Sequence, residues 1–301
     1  GHLRPEQRDA SGLLVAAALS RANRGVAMTL VVALVTGDGV LVSADSRASS
    51  GLVYHEERKI RPVMLRSPSG EQLYLAVVGG AGDAALVKQG FSVVEDAFRR
   101  WLETTRSDRN PDEEGLRAVV SDVESALMER YSRLRSMGVE PDASLLLASV
   151  TGDGRPALYV FDSRGLAEPV HENPGYALLG RGVVTGGLLV MRLLDYSPGG
   201  ASGWDLGLFS AFVIDAVSEV DPSVSPFLGE SYYIRYDREL GRVVIGALKE
   251  EAYREYKERI RKRRELIKLV WSLSEALGED AVEAALRRLE RRLARAGGTK
   301  G

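Results

Sequence analysis

The chain has 301 residues, 45% hydrophobic and 27% charged, with 40 Lys+Arg against 42 Asp+Glu, so it has ample material for a core and no overall charge signal for nucleic acid or a membrane surface. It contains no cysteine, which excludes disulfides, thiol catalysis and thiolate metal sites, and its scattered His2, His55 and His171 argue against a histidine-rich metal site. No apolar run is long enough to span a bilayer, and LLVAAAL (13–19) is too short and too closely flanked by charge for a secretory signal, so a cytoplasmic protein with neither membrane nor nucleic-acid partners is expected.

TLVVALVT (29–36) is almost wholly apolar and reads as a strand buried on both faces. GDG (37–39) follows as a hairpin signal, with Asp-Gly expected to supply the positive φ angles of a tight primed turn, and VLVSAD (40–45) returns. After an irregular region, LYLAVVG (73–79) is another buried strand. Two long helices come next. The first carries a stripe of Leu86, Val87, Phe91, Val94, Phe98, Trp101 and Leu102; the second is announced by NPDEE (110–114), with Asn110 as its expected cap and Pro111 in its first turn.

The pattern then repeats. SLLLASV (144–150) and ALYVFD (157–162) flank a second GDG (152–154), and YALLG (176–180) is a further strand. Helical stretches near 183–195 and 204–219 lead to the strands SYYIRYD (231–237) and RVVIGAL (242–248). This order is not the regular alternation of a doubly wound sheet. It suits an α+β fold, a four-layer αββα sandwich of two antiparallel sheets with helices outside.

From Lys249 the character changes. Residues 249–301 hold 15 Lys+Arg against 10 Asp+Glu, and Val282, Leu286, Leu289 and Leu293 form an apolar seam beyond Gly278. An appended helical hairpin is expected. Its arginines interleave with acids as on a solvated helix, which again argues against nucleic acid. The organisation expected is a leader over 1–28, a sandwich over 29–248 and a helical extension over 249–301.

TLVVALVTGDGVLVSADSRASSG (29–51), RKI (58–60) and VVGGAGDA (77–84) resemble the first third of proteasome β subunits and their bacterial relatives, which are N-terminal nucleophile (Ntn) hydrolases. The resemblance implies the αββα fold and a homo-oligomeric ring, and leaves an unfoldase or other proteasome-like subunits as candidate partners. It implies a threonine protease acting on a peptide or protein substrate, with Thr29 as nucleophile and base, Lys59 as the adjacent cation, Asp45 as its partner and Gly79 as oxyanion donor. Asp221 matches the family's aspartate. Ser49 and Arg181 would meet the substrate, Ser49 through the substrate backbone. A threonine hydroxyl needs a base, and a free α-amine titrating near pH 8 lets the residue carry its own. This chemistry calls for no metal or organic cofactor.

The chain departs from the family at two places. Val224 stands where a serine is expected, with Ser223 and Ser225 on either side, and Arg181 replaces a serine in LLGRGV (178–183). The leader also leaves alternatives open. Removal of residues 1–28 would free Thr29, although Met28 rather than glycine precedes it. Alternatively SGLLVAAALSRANRGVAMT (11–29) resembles the uncleaved helix of proteasome α subunits, which would make the chain a non-catalytic structural ring subunit. A lesser alternative is a peptide ligase, in which an amine resolves the acyl-enzyme.

Overall fold

The structure is a computed structural model that describes residues 29–46 and 58–297. The chain divides into two compact units, 1–249 and 250–301. The first is α+β, with two five-stranded antiparallel sheets.

One sheet holds β1 (Val31–Val35), β2 (Gly39–Asp45), β8 (Tyr176–Leu179), β9 (Leu228–Asp237) and β10 (Arg242–Ala247), ordered β10-β9-β2-β1-β8. The other holds β3 (Ile60–Arg66), β4 (Gln72–Gly82), β5 (Ala143–Val150), β6 (Pro156–Phe161) and β7 (Ala167–Pro169), in sequence order. The helices of this unit are α1 (Ala84–Thr105), α2 (Glu113–Ser136), α3 (Leu188–Leu193) and α4 (Leu206–Ser218), with a π-helical turn at Val183–Gly187 before α3.

The period of two along a strand explains why β1 is apolar throughout. Val31, Ala33 and Val35 face the second sheet, packing with Val77, Leu146 and Leu158. Their neighbours Val32 and Leu34 face the other way, with Phe209, Val213 and Val217 of α4. The outer face of the second sheet is covered by α1 and α2 through Phe91, Phe98, Val123, Leu127 and Tyr131, so the stripe expected on the first helix packs into the core, with Leu86 and Trp101 at its edge. Asp83 and Asp112 cap these helices by accepting from Leu86 N at 3.0 Å and Gly115 N at 2.8 Å. Asn110 is therefore not the cap. Its amide donates instead to Tyr74 O at 2.8 Å, tying the loop to β4.

Two local expectations fail for clear reasons. The irregular region after β2 contains β3, a strand of mixed polarity interrupted by Pro62; it lies at the sheet edge, where a missing N–H is tolerated. The first GDG turn has no residue with positive φ. It is closed by Thr36, whose N–H donates to Gly39 O at 2.8 Å and whose hydroxyl accepts from Gly39 N at 2.9 Å. Gly39 is there for its neighbour, since a Cβ would lie 2.2 Å from Ile234 O on β9.

The second unit consists of α5 (Glu250–Leu277) and α6 (Glu279–Gly297), separated by Gly278 with φ +85°. No described helix is long and apolar enough to cross a membrane.

The two glycines of the first turn make a test. Gly37→Ala meets nothing within 4 Å and should leave stability unchanged, whereas Gly39→Ala forces backbone against backbone. Chemical denaturation should show a loss of ~1–3 kcal/mol for Gly39→Ala alone.

Candidate functional site

Register places the start of β1 against the end of β2. Val31 pairs with Ala44, so Leu30 falls beside Asp45 and Thr29 beside Ser46. Leu30 N donates to Asp45 Oδ1 at 3.0 Å, and Asp45 N donates to Leu30 O at 3.1 Å. On its other side β2 meets β9 through a bulge between Ala44 and Asp45, where the register skips Gly229. Bulges of this kind re-aim a side chain, and here the result is a fully buried carboxylate.

Asp45 gathers three chain segments. Besides Leu30 N, its Oδ1 accepts from Lys59 Nζ at 2.8 Å, and its Oδ2 accepts from Ser225 N at 3.0 Å. Lys59 Nζ also donates to Asp45 O at 3.2 Å. The Lys59 side chain is 12% exposed and that of Asp45 is 0% exposed, so the pair is nearly dry. Lys59 immediately precedes β3, and its own carbonyl accepts from Gly80 N at 2.9 Å, which fixes its backbone to β4. Gly79 pairs with Ile60 on one side and Leu146 on the other; its missing Cβ lets β4 approach β1, where Val31 Cγ1 would lie at 3.0 Å.

A second carboxylate sits at the end of α4. Asp221 Oδ2 accepts from Thr185 Oγ1 at 2.8 Å, while Oδ1 accepts from Ser223 N at 2.9 Å and from the Ser223 hydroxyl. Burial alone would raise its pKa, but the hydrogen bonds from Ser223 and Thr185, with the charge of Arg181, hold it below the ordinary carboxylate value. The turn 221–225 links the two carboxylates, because Ser225 also bonds Ser46 Oγ at 2.8 Å. Val224, between these serines, points into the core at 2% exposure.

The loop after β8 closes over Thr29. Gly180 has φ +103°, and a Cβ there would lie 1.8 Å from Thr29 O, so no other residue fits. Arg181, next in the chain, is exposed, and its carbonyl accepts from Val184 N at 3.1 Å. Thr29 itself is 1% exposed.

The structure thus brings Asp45 and Lys59 together beside Leu30, places Gly79 across from Val31, and sets Asp221 one turn away. Ser49 and the leader over 1–28 lie outside the described residues. Sequence reasoning passed over Thr185 and assigned no contacts to Ser223 or Ser225. The only hint was their spacing, Thr185 four residues after Arg181 and the serines flanking Val224. Among the described residues no group of three His, Asp or Glu side chains is placed to hold a metal.

No protein-family model matches the chain, and no curated protein matches it by sequence. Solved structures do. One is Anbu, a Gly-1 mutant, from Hyphomicrobium sp. strain MC1, at 15% identity and a TM-score of 0.59, covering 82% of this chain and 99% of that one. Another is Anbu from Yersinia bercovieri, described as an ancestral β-subunit, at 15% identity and a TM-score of 0.57, covering 81% and 96%. These likenesses show that the chain shares the fold of the Anbu structures and nothing finer. They correct the resemblance to the proteasome subunit family itself, with its α-type leader: the neighbours are Anbu proteins, remote at 15% identity, and no family model supports membership.

Two outcomes test this geometry. Asp45→Ala leaves Lys59, Leu30 N and Ser225 N without their acceptor, and should lower stability by ~3–5 kcal/mol in chemical denaturation. Asp221, with its folded pKa below the unfolded value of 3.8, contributes stability that is present above that value. That contribution should vanish as pH falls through the folded pKa, so the difference in stability between wild type and Asp221→Asn should shrink in acid.

Proposed function

We propose that this protein is an N-terminal nucleophile hydrolase that cleaves peptide or amide bonds with Thr29 once the residues before it are removed. The observation that carries this reading is the Asp45 carboxylate, which binds the backbone N–H of the residue after Thr29 and the Lys59 ammonium through one oxygen. That arrangement holds a dry cation at the head of β1, where it would lower the pKa of a neighbouring hydroxyl. The stacking of helices, sheet, sheet and helices through three apolar clusters, a four-layer αββα sandwich, supports the same reading.

In this mechanism the freed α-amine takes the Thr29 hydroxyl proton, and Oγ1 attacks the scissile carbonyl. The oxyanion forms beside the glycine-rich end of β4, where the backbone N–H of Gly79 would stabilise it. Collapse expels the amine, which takes the proton, and leaves an ester on Thr29. Water then hydrolyses the ester. Lys59 and Asp45 keep their ion pair throughout, and Asp221, held by Thr185 and Ser223, supports the 221–225 turn. Exposed Arg181 is suited to an acidic group on the substrate, with Ser49 meeting its backbone. Assembly into a homo-oligomeric ring completes the proposal.

The burial of Thr29 at 1% exposure favours a second reading, a non-catalytic assembly subunit in which Thr29 only opens a strand. The two diverge when the chain is produced with Thr29 as its first residue. Intact mass after incubation with a β-lactone or epoxyketone should then show one adduct per chain, absent in Thr29→Ala and in protein retaining residues 1–28. Labelling should quicken as pH rises toward 8 and the amine loses its proton. Lys59→Met should slow it about 10²-fold or more. A free Thr29 that takes no adduct would decide for the assembly role.

A further inference from the structure

The second unit carries more apolar surface than two helices can cover. Among the described residues from Arg261 to Arg295, only Val282 is buried. On α5, Leu266, Val270, Leu273 and Leu277 stand 37% to 64% exposed, and on α6 Leu286, Leu289 and Leu293 stand 47% to 73% exposed. These are not scattered. Both sets, with Val282 included in the second, follow spacings of four, three and four, the 3.5-residue repeat of helices that pack along a shared seam. Between them runs a groove of about 620 Å³, lined by Val270, Val282, Leu286, Leu289 and Leu293. Continuous exposed apolar surface of this kind marks an interaction site.

The charges on α6 say what fits there. Glu279, Asp280 and Glu283 occupy its first two turns, while Arg291, Arg292 and Arg295 occupy its end. A second α6 laid parallel would set acid on acid and base on base. Laid antiparallel it sets each end on its opposite. One register does this while keeping the seam intact: with Leu286 across from the second copy's Leu289 and Val282 across from Leu293, the acidic first turns lie level with the basic last turns. Arg287, ion-paired to Glu283 of its own helix at 2.7 Å, and Arg288 fall outside the seam near the axis. A surface that complements itself under a two-fold rotation is the signature of an isologous dimer contact.

We propose that two copies of this chain associate through their α5–α6 hairpins, with the two α6 helices antiparallel about a two-fold axis near Arg287 and Arg288, forming a four-helix core. The proposal rests on residues of the second unit alone and holds whichever functional reading of the Thr29 region is right.

The absence of native cysteine makes the register directly testable. Full-length Leu286→Cys carrying an extended affinity tag, mixed with untagged Leu289→Cys and oxidised, should give a disulfide-linked dimer of intermediate size on a non-reducing gel. Leu293→Cys alone should not cross-link, because antiparallel helices carry the two copies of residue 293 far apart. In sedimentation, the Leu286→Glu/Leu289→Glu double variant should show half the native mass, with helical circular dichroism retained because glutamate is a good helix former. Cross-linking of Leu293→Cys to itself would overturn the antiparallel register. A mixed pair that fails to link, together with a native mass indifferent to the glutamates, would overturn the self-association.

Discussion

Everything near the head of β1 is organised by the carboxylate of Asp45. A fully buried carboxylate is costly unless its lone pairs are met by donors. Here the donors come from β1, from the residue before β3 and from the turn after α4, which lie 15, 14 and 180 positions away in sequence. None of these segments can move without leaving charge unpaired in a dry place. The bulge opposite Gly229 exists to aim this group, and both sheets are pinned to one another through its bond to Lys59. The interaction is therefore a structural constraint first. What it holds beside Leu30 is the Lys59 ammonium, the group on which the proposed mechanism draws.

The layers were legible in the sequence because burial writes itself into periodicity. The all-apolar β1 and the stripe of α1 each reflect a face that must be covered. β3 was not legible, since an edge strand with Pro62 carries no clean alternation, nor was the reason for Gly39, whose contact is with a strand almost two hundred residues on. In the site, Asp45 and Lys59 emerged from spacing and resemblance. Thr185 and Ser223 did not, because hydroxyls are common on loops and only the folded chain shows which ones reach Asp221.

The likeness to Anbu at 15% identity has the same physical basis. A stack of helices and sheets asks only for apolar residues of suitable size at alternating positions, and very many sequences satisfy that. Polar contacts in a dry site are far less forgiving, which is why the fold can be recognised where the chemistry must be tested.

The loop Gly180–Arg181–Gly182 holds a consequence of its own. Its first residue is locked by the carbonyl of Thr29, and its third sits against Leu30, Val217 and Val224. The residue between them projects to solvent and bears no packing duty. Variation at that one position costs the packing little, although it removes a charge that favours ionised Asp221, and any change is displayed beside the start of β1. Such a position is where selection can retune what a protein recognises without first having to rebuild it.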